Sequence, residues 1–294
     1  MYMVIDNETT SDTSLSLAKI CFGLSVSRSG YYDWKRHKNS GPSSDPYEMT
    51  LRDEIQKIVI EFTGYGYRRV TKELHRRGYP INAKHALRLM REDNLLCLRK
   101  RLFKSTTDSN HQFPIFPNLA KGMSVTKLNQ LWVADITYIR IERQFLYLAV
   151  IIDVFSRKCI GWELDWHIDT QLTLNALNKA LASRRGQDLG GLIHHSDQGV
   201  QYASHAYIDR LKAFNIRISM SRKGNPYDNA YAESFIKTLK YEEVYLSEYS
   251  LFSDAYNGIG KFIQKVYNRK RLHSGIGYVP PDEFEEAITL NNIS

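Results

Sequence analysis

The alternation of strand-like and helix-like segments between residues 131 and 220 constrains the fold of this chain more than any other feature. The strand-like runs are rich in β-branched and aromatic residues and end at short polar turns, whereas the helix-like runs repeat apolar residues at helical spacing. The predicted elements, in chain order, are strands at 131–141, 145–153 and 158–164, a helix at 170–183, a strand at 192–195, a helix at 206–214 and a strand at 216–220.

Three meandering strands followed by helix, strand, helix and strand describe an α+β domain of the ribonuclease-H type. The segments on either side of it carry only helical patterns. The sequence therefore predicts a short helix-turn-helix-like segment at 14–40, a helical domain at 46–104 whose positive charge favours DNA binding, a linker at 105–127, the ribonuclease-H-like core at 128–245 and a C-terminal helical extension at 246–294.

The segment at 14–40 has the helix caps and the short turn that are typical of a helix-turn-helix. A short apolar helix, a turn at Gly23 and a second helix capped by Ser25 or Ser27 follow one another. A helical hairpin that only packs is the alternative interpretation. Residues 1–13 are polar, and we expect them to be irregular.

Positive charge accumulates in the helical domain at 46–104, in a chain whose formal net charge is +8. Clustered Lys and Arg release counterions from phosphate backbones, so DNA docking explains this excess, although a charge run can also be a solvated face. The candidate DNA-contacting residues here are Arg68, Arg69, Lys72, Arg99, Lys100 and Arg101.

The cysteine spacing and the hydropathy of the chain indicate its cellular compartment. Cys21, Cys97 and Cys159 lie far apart and show no CxxC spacing, so neither a zinc site nor a disulfide framework is predicted. No apolar run approaches the roughly 20 residues of a membrane span, and the N-terminus lacks the pattern of a signal peptide. We expect a cytoplasmic protein that makes no membrane contact.

Three acidic residues are candidates for a single site. Asp135 falls inside the first predicted strand, Asp197 follows the fourth, and Glu233 begins a helical segment. An unpaired carboxylate in a central strand is costly to desolvate, so Asp135 needs a positive partner. Converging carboxylates are good ligands for hard divalent cations, although each acid taken alone is more simply a surface or salt-bridged group.

The spacing of these three acids resembles the DDE signature of retroviral integrases and related transposases. Further matching segments are 132–138, 153–157, 161–162, 194–202, 221–225, 228–230, 233–235 and 267–273, with 65–70 in the helical domain. In this order they resemble the transposases of the IS-three family of bacterial insertion sequences, in the part encoded by the second reading frame. The likeness covers about residues 15–288.

The resemblance implies a retroviral-integrase-like catalytic core in which Asp135, Asp197 and Glu233 are the metal ligands. It implies two Mg²⁺ ions, for which Mn²⁺ can substitute, and a basic residue at Lys240 that contacts DNA near the reacting phosphate. Lys237 shares a helix face with Glu233 and Lys240 and is a further candidate DNA contact. The alternative interpretation is that Lys237 and Lys240 are ordinary surface lysines.

Other polar residues near the acids are given different roles. Residues 221–229, which include the candidate DNA contacts Arg222 and Lys223, are predicted to form a loop over the site. This loop has Pro226 and Tyr227 where the family frequently has a Cys-Trp pair. Asp153 is expected to hold a turn. The histidines at 194 and 195 are expected to pack in the sheet or to lie behind the metal ligands.

The resemblance implies a DNA transposase that cleaves a strand at the terminal inverted repeats of an insertion sequence and transfers it into target DNA. It further implies a homo-oligomer on double-stranded DNA, association with the nucleoid, and an upstream-frame protein of the same element as a partner. A ribonuclease-H-like nuclease acting on RNA in hybrids and a non-catalytic DNA-binding regulator are the alternatives. The first would not need the basic helical units, and the second would not need three acids at active spacing.

Overall fold

The computed structural model describes residues 2–11, 17–24, 26–39, 45–97, 114–142, 144–221 and 229–291. Its contacts divide the chain into two compact units, residues 1–57 and residues 58–294. The predicted divisions at residues 105, 128 and 246 all fall within the second unit and stay predictions.

The first unit is built from short helices around a small apolar cluster. Helix α1 (Tyr2–Ser11) is followed by α2 (Leu17–Gly23) and α3 (Arg28–Asn39), and Ile5, Cys21 and Tyr31 are buried between them. The expectation that residues 1–13 are irregular is wrong for α1, because Ile5 supplies an apolar contact and Asp6 accepts a hydrogen bond from the Tyr31 hydroxyl at 2.8 Å. Helix α4 (Pro46–Glu61) comes next in the chain.

Within its described residues, the second unit has two whole helices ahead of the sheet. Helix α5 (Tyr67–Arg76) begins after Gly66, and α6 (Ala83–Glu92) begins where the Asn82 side chain accepts the backbone N–H of His85. Each buries one apolar face. Ahead of α5, the Tyr65 ring is fully buried and stacks on Phe62 at 4.5 Å between centroids. We call residues 62–92 the α5/α6 unit.

A five-stranded mixed sheet forms the centre of the second unit. Its strands are β1 (Leu131–Ile141), β2 (Gln144–Asp153), β3 (Cys159–Asp165), β4 (Ile193–Ser196) and β5 (Arg217–Met220), in the spatial order β3-β2-β1-β4-β5. The β1/β2 and β2/β3 pairs are antiparallel, whereas β1/β4 and β4/β5 are parallel. The predicted meander and the later strands are confirmed, with ends shifted by one residue at most.

Helices cover both faces of this sheet. On one face lie α7 (Thr170–Ser183), the short α8 (Val200–Ala203) and α9 (His205–Ala213), and on the other lie α10 (Ala230–Leu239) and α11 (Phe252–Lys261). Gly161 in β3 allows α7 to approach closely, because an added Cβ would overlap the Ala176 carbonyl oxygen. Two apolar cores result, separated by the sheet, as expected of the predicted α+β architecture.

The C-terminal part is helical but interrupted. A π-helical turn (Lys240–Val244) continues α10, and another (Phe262–Tyr267) continues α11, so that the predicted long helix near residues 251–271 changes its winding. A 3₁₀ turn (Ser274–Ile276) and α12 (Pro281–Asn291) complete the chain. Within the described residues, no helix has both the length and the apolarity that crossing a membrane requires.

Candidate active site

Asp135 lies in β1 just beyond the part of that strand that pairs with β4. The parallel pairing joins Trp132 to His194 and Val133 to His195. Continuing this register by two residues sets Asp135 opposite Asp197, which follows the last residue of β4. The sheet thus brings together two acids that are far apart in the sequence.

The two aspartates are held by local backbone contacts. Asp135 Oδ1 accepts the N–H of Ile136 at 2.8 Å, and Asp197 Oδ1 accepts the N–H of Gly199 at 3.0 Å. Both side chains are partly buried. In each carboxylate one oxygen is therefore oriented by the backbone.

Glu233 lies in the first turn of α10, and Asn229 immediately precedes that helix. The buried Asn229 amide donates to the carbonyl of Ala134 at 3.0 Å, directly beside Asp135. This bond anchors the start of the helix to β1. Asn229 lies in the matching segment 228–230, but the sequence predicts no separate role for it. A polar residue immediately ahead of a helix that carries a candidate acid was the available signal.

The three acids influence one another electrostatically. Burial, followed by the charges of Asp197 and Glu233, raises the pKa of Asp135 to about 8, while the charge of Lys240 opposes this shift. Burial also raises the pKa of Glu233. A nearby cation would favour the ionised form of Asp135 and oppose this shift.

Two buried polar atoms beside the acids lack hydrogen-bond partners within the described residues. These are the hydroxyl of Tyr202 and Oδ1 of Asn229. Burial raises the pKa of Tyr202, and Asp197 and Asp135 contribute, so this hydroxyl lies near both acids. Buried polar groups are normally paired, and unpaired ones often mark a place where an ion or water binds.

Within the described residues, the three acids do not form a complete set of metal ligands. In the part of the chain that the structure describes, no three His, Cys, Asp or Glu side chains lie close enough together to hold a metal ion as they stand. The donors themselves, three carboxylates with unpaired oxygens nearby, are of the type that hard divalent cations prefer. The residues fit such an ion by chemistry.

Lys240 is a basic residue that interacts electrostatically with Asp135. Its ammonium lies 4.2 Å from the centroid of the Tyr138 ring. Burial lowers the pKa of Lys240, and the charge of Asp135 opposes this shift. Lys237, one turn earlier, is exposed. Of the two lysines predicted to contact DNA, Lys240 is therefore the one that interacts with the acids.

The histidines and Asp153 have the packing roles expected of them. His194 contacts the Tyr207 hydroxyl at 3.0 Å, and His195 Nδ1 contacts the Ser219 hydroxyl at 2.8 Å. Burial lowers the pKa of His194 to about 3, with His195 adding to the shift, so His194 is neutral. The buried Asp153 carboxylate accepts backbone N–H groups and holds the turn after β2, as predicted.

The remaining candidate DNA contacts lie elsewhere. Arg68 and Lys72 are exposed, and the Lys72 ammonium lies 5.7 Å from the Tyr278 ring. Arg69 is half-buried and donates to the carbonyl of Leu272 at 3.0 Å. The other candidates fall outside the described residues: Arg99, Lys100, Arg101, Arg222 and Lys223.

Family models match most of the chain. Residues 125–226 and residues 214–281 match two models described as "Integrase core domain", and residues 46–103 match one described as "HTH-like domain". Together with the mixed sheet and its acids, these matches define an integrase-type polynucleotidyl transferase with a helix-turn-helix-like DNA-binding domain.

Curated relatives give the family. The transposase InsF for insertion sequence IS3A of Escherichia coli (strain K12) is 36% identical over 280 residues, which cover 92% of this chain and 94% of the relative. The transposase for insertion sequence element IS904 of Lactococcus lactis is 39% identical over 248 residues, or 83% of this chain and 97% of the relative. The chain belongs to the IS3 family of insertion-sequence transposases.

A solved structure of the catalytic core domain of BIV integrase aligns with 56% of this chain and 99% of its own length. Its identity is 18% and its TM-score 0.41.

Proposed function

We propose that Asp135, Asp197 and Glu233 bind two Mg²⁺ ions, and that the transposase uses them to cleave one DNA strand at an insertion-sequence end and to join it to target DNA. The observation that supports this most is the parallel β1/β4 register, because its continuation by two residues brings Asp135 opposite Asp197. The anchoring of α10 to Ala134 supports the inclusion of Glu233.

Each residue has a defined part in this proposal. When bound, the metal pair would activate an attacking oxygen and stabilise the leaving oxygen of an in-line phosphoryl displacement. The three carboxylates supply the negative charge that recruits divalent cations, Asn229 orients the helix that bears Glu233, and Lys240 binds a phosphate of the reacting strand.

The alternatives explain less of the chain. A nuclease acting on RNA in hybrids would have no use for the basic helix-turn-helix-like region at 46–103. A non-catalytic regulator would have no use for mutually repelling acids, which raise the pKa of Asp135. The transposase uses both features.

The proposal extends to assembly and location. Two element ends must be paired for insertion, so we expect a homo-oligomer on double-stranded DNA, bound to terminal inverted repeats and target DNA. The upstream-frame protein of the same element is a proposed partner, and a cytoplasmic, nucleoid-associated location follows from the substrate.

Metal binding tests the acid assignment directly. Titration with Mn²⁺, followed by electron paramagnetic resonance in the presence of terminal-repeat DNA, is expected to reveal two ions per chain in the wild-type protein. Asp135→Asn should weaken or abolish at least one of these sites, because it removes a charged ligand. The matched control is Asp165→Asn, an aspartate at the end of β3 that is not one of the three acids. Equal stoichiometry and affinity in the wild type and Asp135→Asn would contradict the proposal.

Lys240→Met tests the phosphate contact. Methionine keeps an unbranched stem but removes the charge, and hydrogen bonds to charged groups contribute about 1.5–3 kcal/mol, so joining should slow roughly tenfold or more. Lys237→Met is the control, and a smaller effect is expected because its side chain is exposed. Single-turnover joining of a pre-cleaved end measures both. An effect of Lys237→Met as large as that of Lys240→Met would refute the distinction.

A further inference from the structure

Two side chains of the α5/α6 unit form hydrogen bonds with the backbone N–H and carbonyl of one residue in the C-terminal segment, Leu272. The buried Tyr65 hydroxyl accepts the N–H of Leu272 at 2.7 Å, and Arg69 Nε donates to the carbonyl of Leu272 at 3.0 Å. Leu272 itself is fully buried. Both polar groups of its backbone are thus satisfied by side chains from about 200 residues earlier in the chain.

A buried ion pair lies beside this contact. Arg271 donates two hydrogen bonds of 2.7 Å to the carboxylate of Glu242, and these side chains are only 3% and 7% exposed. Gly64 packs directly against the same carboxylate, so an added Cβ would overlap it. The Glu242 carboxylate is therefore enclosed by Arg271 on one side and by the α5/α6 unit on another.

Glu242 is linked to the candidate active site through one continuous helical segment. It belongs to the π-helical turn (Lys240–Val244) that continues α10, the helix that carries Glu233. Lys240 begins the same turn, and its ammonium lies 4.2 Å from the centroid of the Tyr138 ring in β1. A π-helical turn within a helix is uncommon and is frequently found at functional sites.

We propose that Gly64, Tyr65 and Arg69 form a docking site for Glu242, Arg271 and Leu272, and that this docking positions α10 for catalysis. Arg69 is then a positioning residue, although its place in the helix-turn-helix-like domain suggests DNA contact. The inference rests on the proposed roles of Glu233 and Lys240 in strand transfer.

A comparison of the adjacent residues Arg68 and Arg69 distinguishes docking from DNA binding. Arg68 is exposed, whereas Arg69 is half-buried, lies 5.8 Å from the Tyr65 ring and reaches Leu272 through Nε. The amide nitrogen of glutamine occupies the same position along the side chain as arginine Nε. Arg69→Gln therefore keeps a donor for Leu272 while removing the charge that a phosphate contact would need.

The decisive experiment compares Arg69→Ala, Arg69→Gln and Arg68→Gln. Affinity for terminal-repeat duplex is measured over a range of salt concentrations, and the single-turnover joining rate is measured at saturating DNA. Arg69→Ala is expected to lower the joining rate about tenfold without weakening DNA affinity, and Arg69→Gln to recover most of that rate. Arg68→Gln is expected to weaken affinity several-fold and to reduce the salt slope by about one, as loss of a phosphate contact does.

Gly64→Ala and Gly66→Ala provide a second matched pair. The added methyl at Gly64 meets the Glu242 carboxylate, whereas at Gly66 nothing lies within 4 Å of it. Only Gly64→Ala is expected to lower the joining rate at saturating DNA. Should Gly64→Ala fail to fold, as judged by circular dichroism, the Arg69 variants decide the question alone.

Two results would overturn the proposal. One is loss of DNA affinity in Arg69→Gln equal to that in Arg68→Gln, which would make Arg69 a phosphate contact. The other is an unchanged joining rate in Arg69→Ala. A failure of the proposed metal site is distinguishable from both, because it would leave Asp197→Asn as active as the wild type in the same assay.

Discussion

Asp197→Asn is expected to reduce strand joining by at least about a thousandfold while binding to terminal-repeat DNA survives. The substitution keeps the shape of the side chain, and the asparagine oxygen can still accept the N–H of Gly199 that Asp197 binds at 3.0 Å. It removes one of the charges that would hold the metal pair. Metal ions contribute several kcal/mol of transition-state stabilisation, and each 1.4 kcal/mol is a tenfold change in rate.

The measurement is single-turnover joining of a pre-cleaved end in Mg²⁺, with DNA affinity measured on the same protein preparation. Asp188→Asn serves as the control, because that aspartate lies in an exposed turn between α7 and β4 and binds the N–H of Gly190 in a similar local contact. Joining by Asp197→Asn at the wild-type rate would remove Asp197 from the site. Loss of DNA affinity together with joining would indicate a folding defect instead.

Arg184→Met is expected to lower the free energy of unfolding by about 3–5 kcal/mol. The Arg184 side chain is 3% exposed and donates to both oxygens of Glu285 in α12, at 2.7 and 2.6 Å. Asp153 lies 3.6 Å from the same guanidinium. Methionine would fill much of the space but remove the guanidinium from two buried carboxylates, leaving Glu285 with the Lys158 ammonium at 3.2 Å.

Arg76→Met is the matched control for a pair on the surface. Arg76 also donates to both oxygens of a glutamate in α12, Glu283, but these side chains are 40% and 46% exposed. Exposed pairs are screened by solvent, and the expected loss is no more than about 1 kcal/mol. Urea unfolding at pH 7 measures both variants. A loss for Arg184→Met as small as that for Arg76→Met would show that the buried pair does not anchor α12.

The pH dependence of the Arg184→Met effect has a definite sign. Although burial opposes it, Arg184 holds the pKa of Glu285 below its usual value. A carboxyl with a lowered folded-state pKa contributes stability above its unfolded pKa of about 4.3, and this stability is lost as the pH falls. The difference in unfolding free energy between wild type and Arg184→Met should therefore be full at neutral pH and narrow below about pH 4.

The order of strands and helices in the core was determined by the sequence, because the spacing of apolar residues along each segment distinguishes a strand from a helix. Residues of β1 to β3 alternate or run apolar between polar turns, and α7 repeats its apolar residues at helical spacing. The packing roles of His194 and Asp153 were also predicted correctly. The acids could be named in advance because their spacing matched a known signature.

Only the tertiary structure decided what each polar side chain contacts. Arg68 and Arg69 are identical and adjacent in the sequence, yet one is exposed and the other donates to a carbonyl 203 positions later. The anchoring of Asn229 to Ala134 and the burial of Glu242 against Arg271 likewise depend on distant segments. Periodicity states which face of an element is apolar, but the partner of a charge is set by long-range packing, which local sequence does not encode.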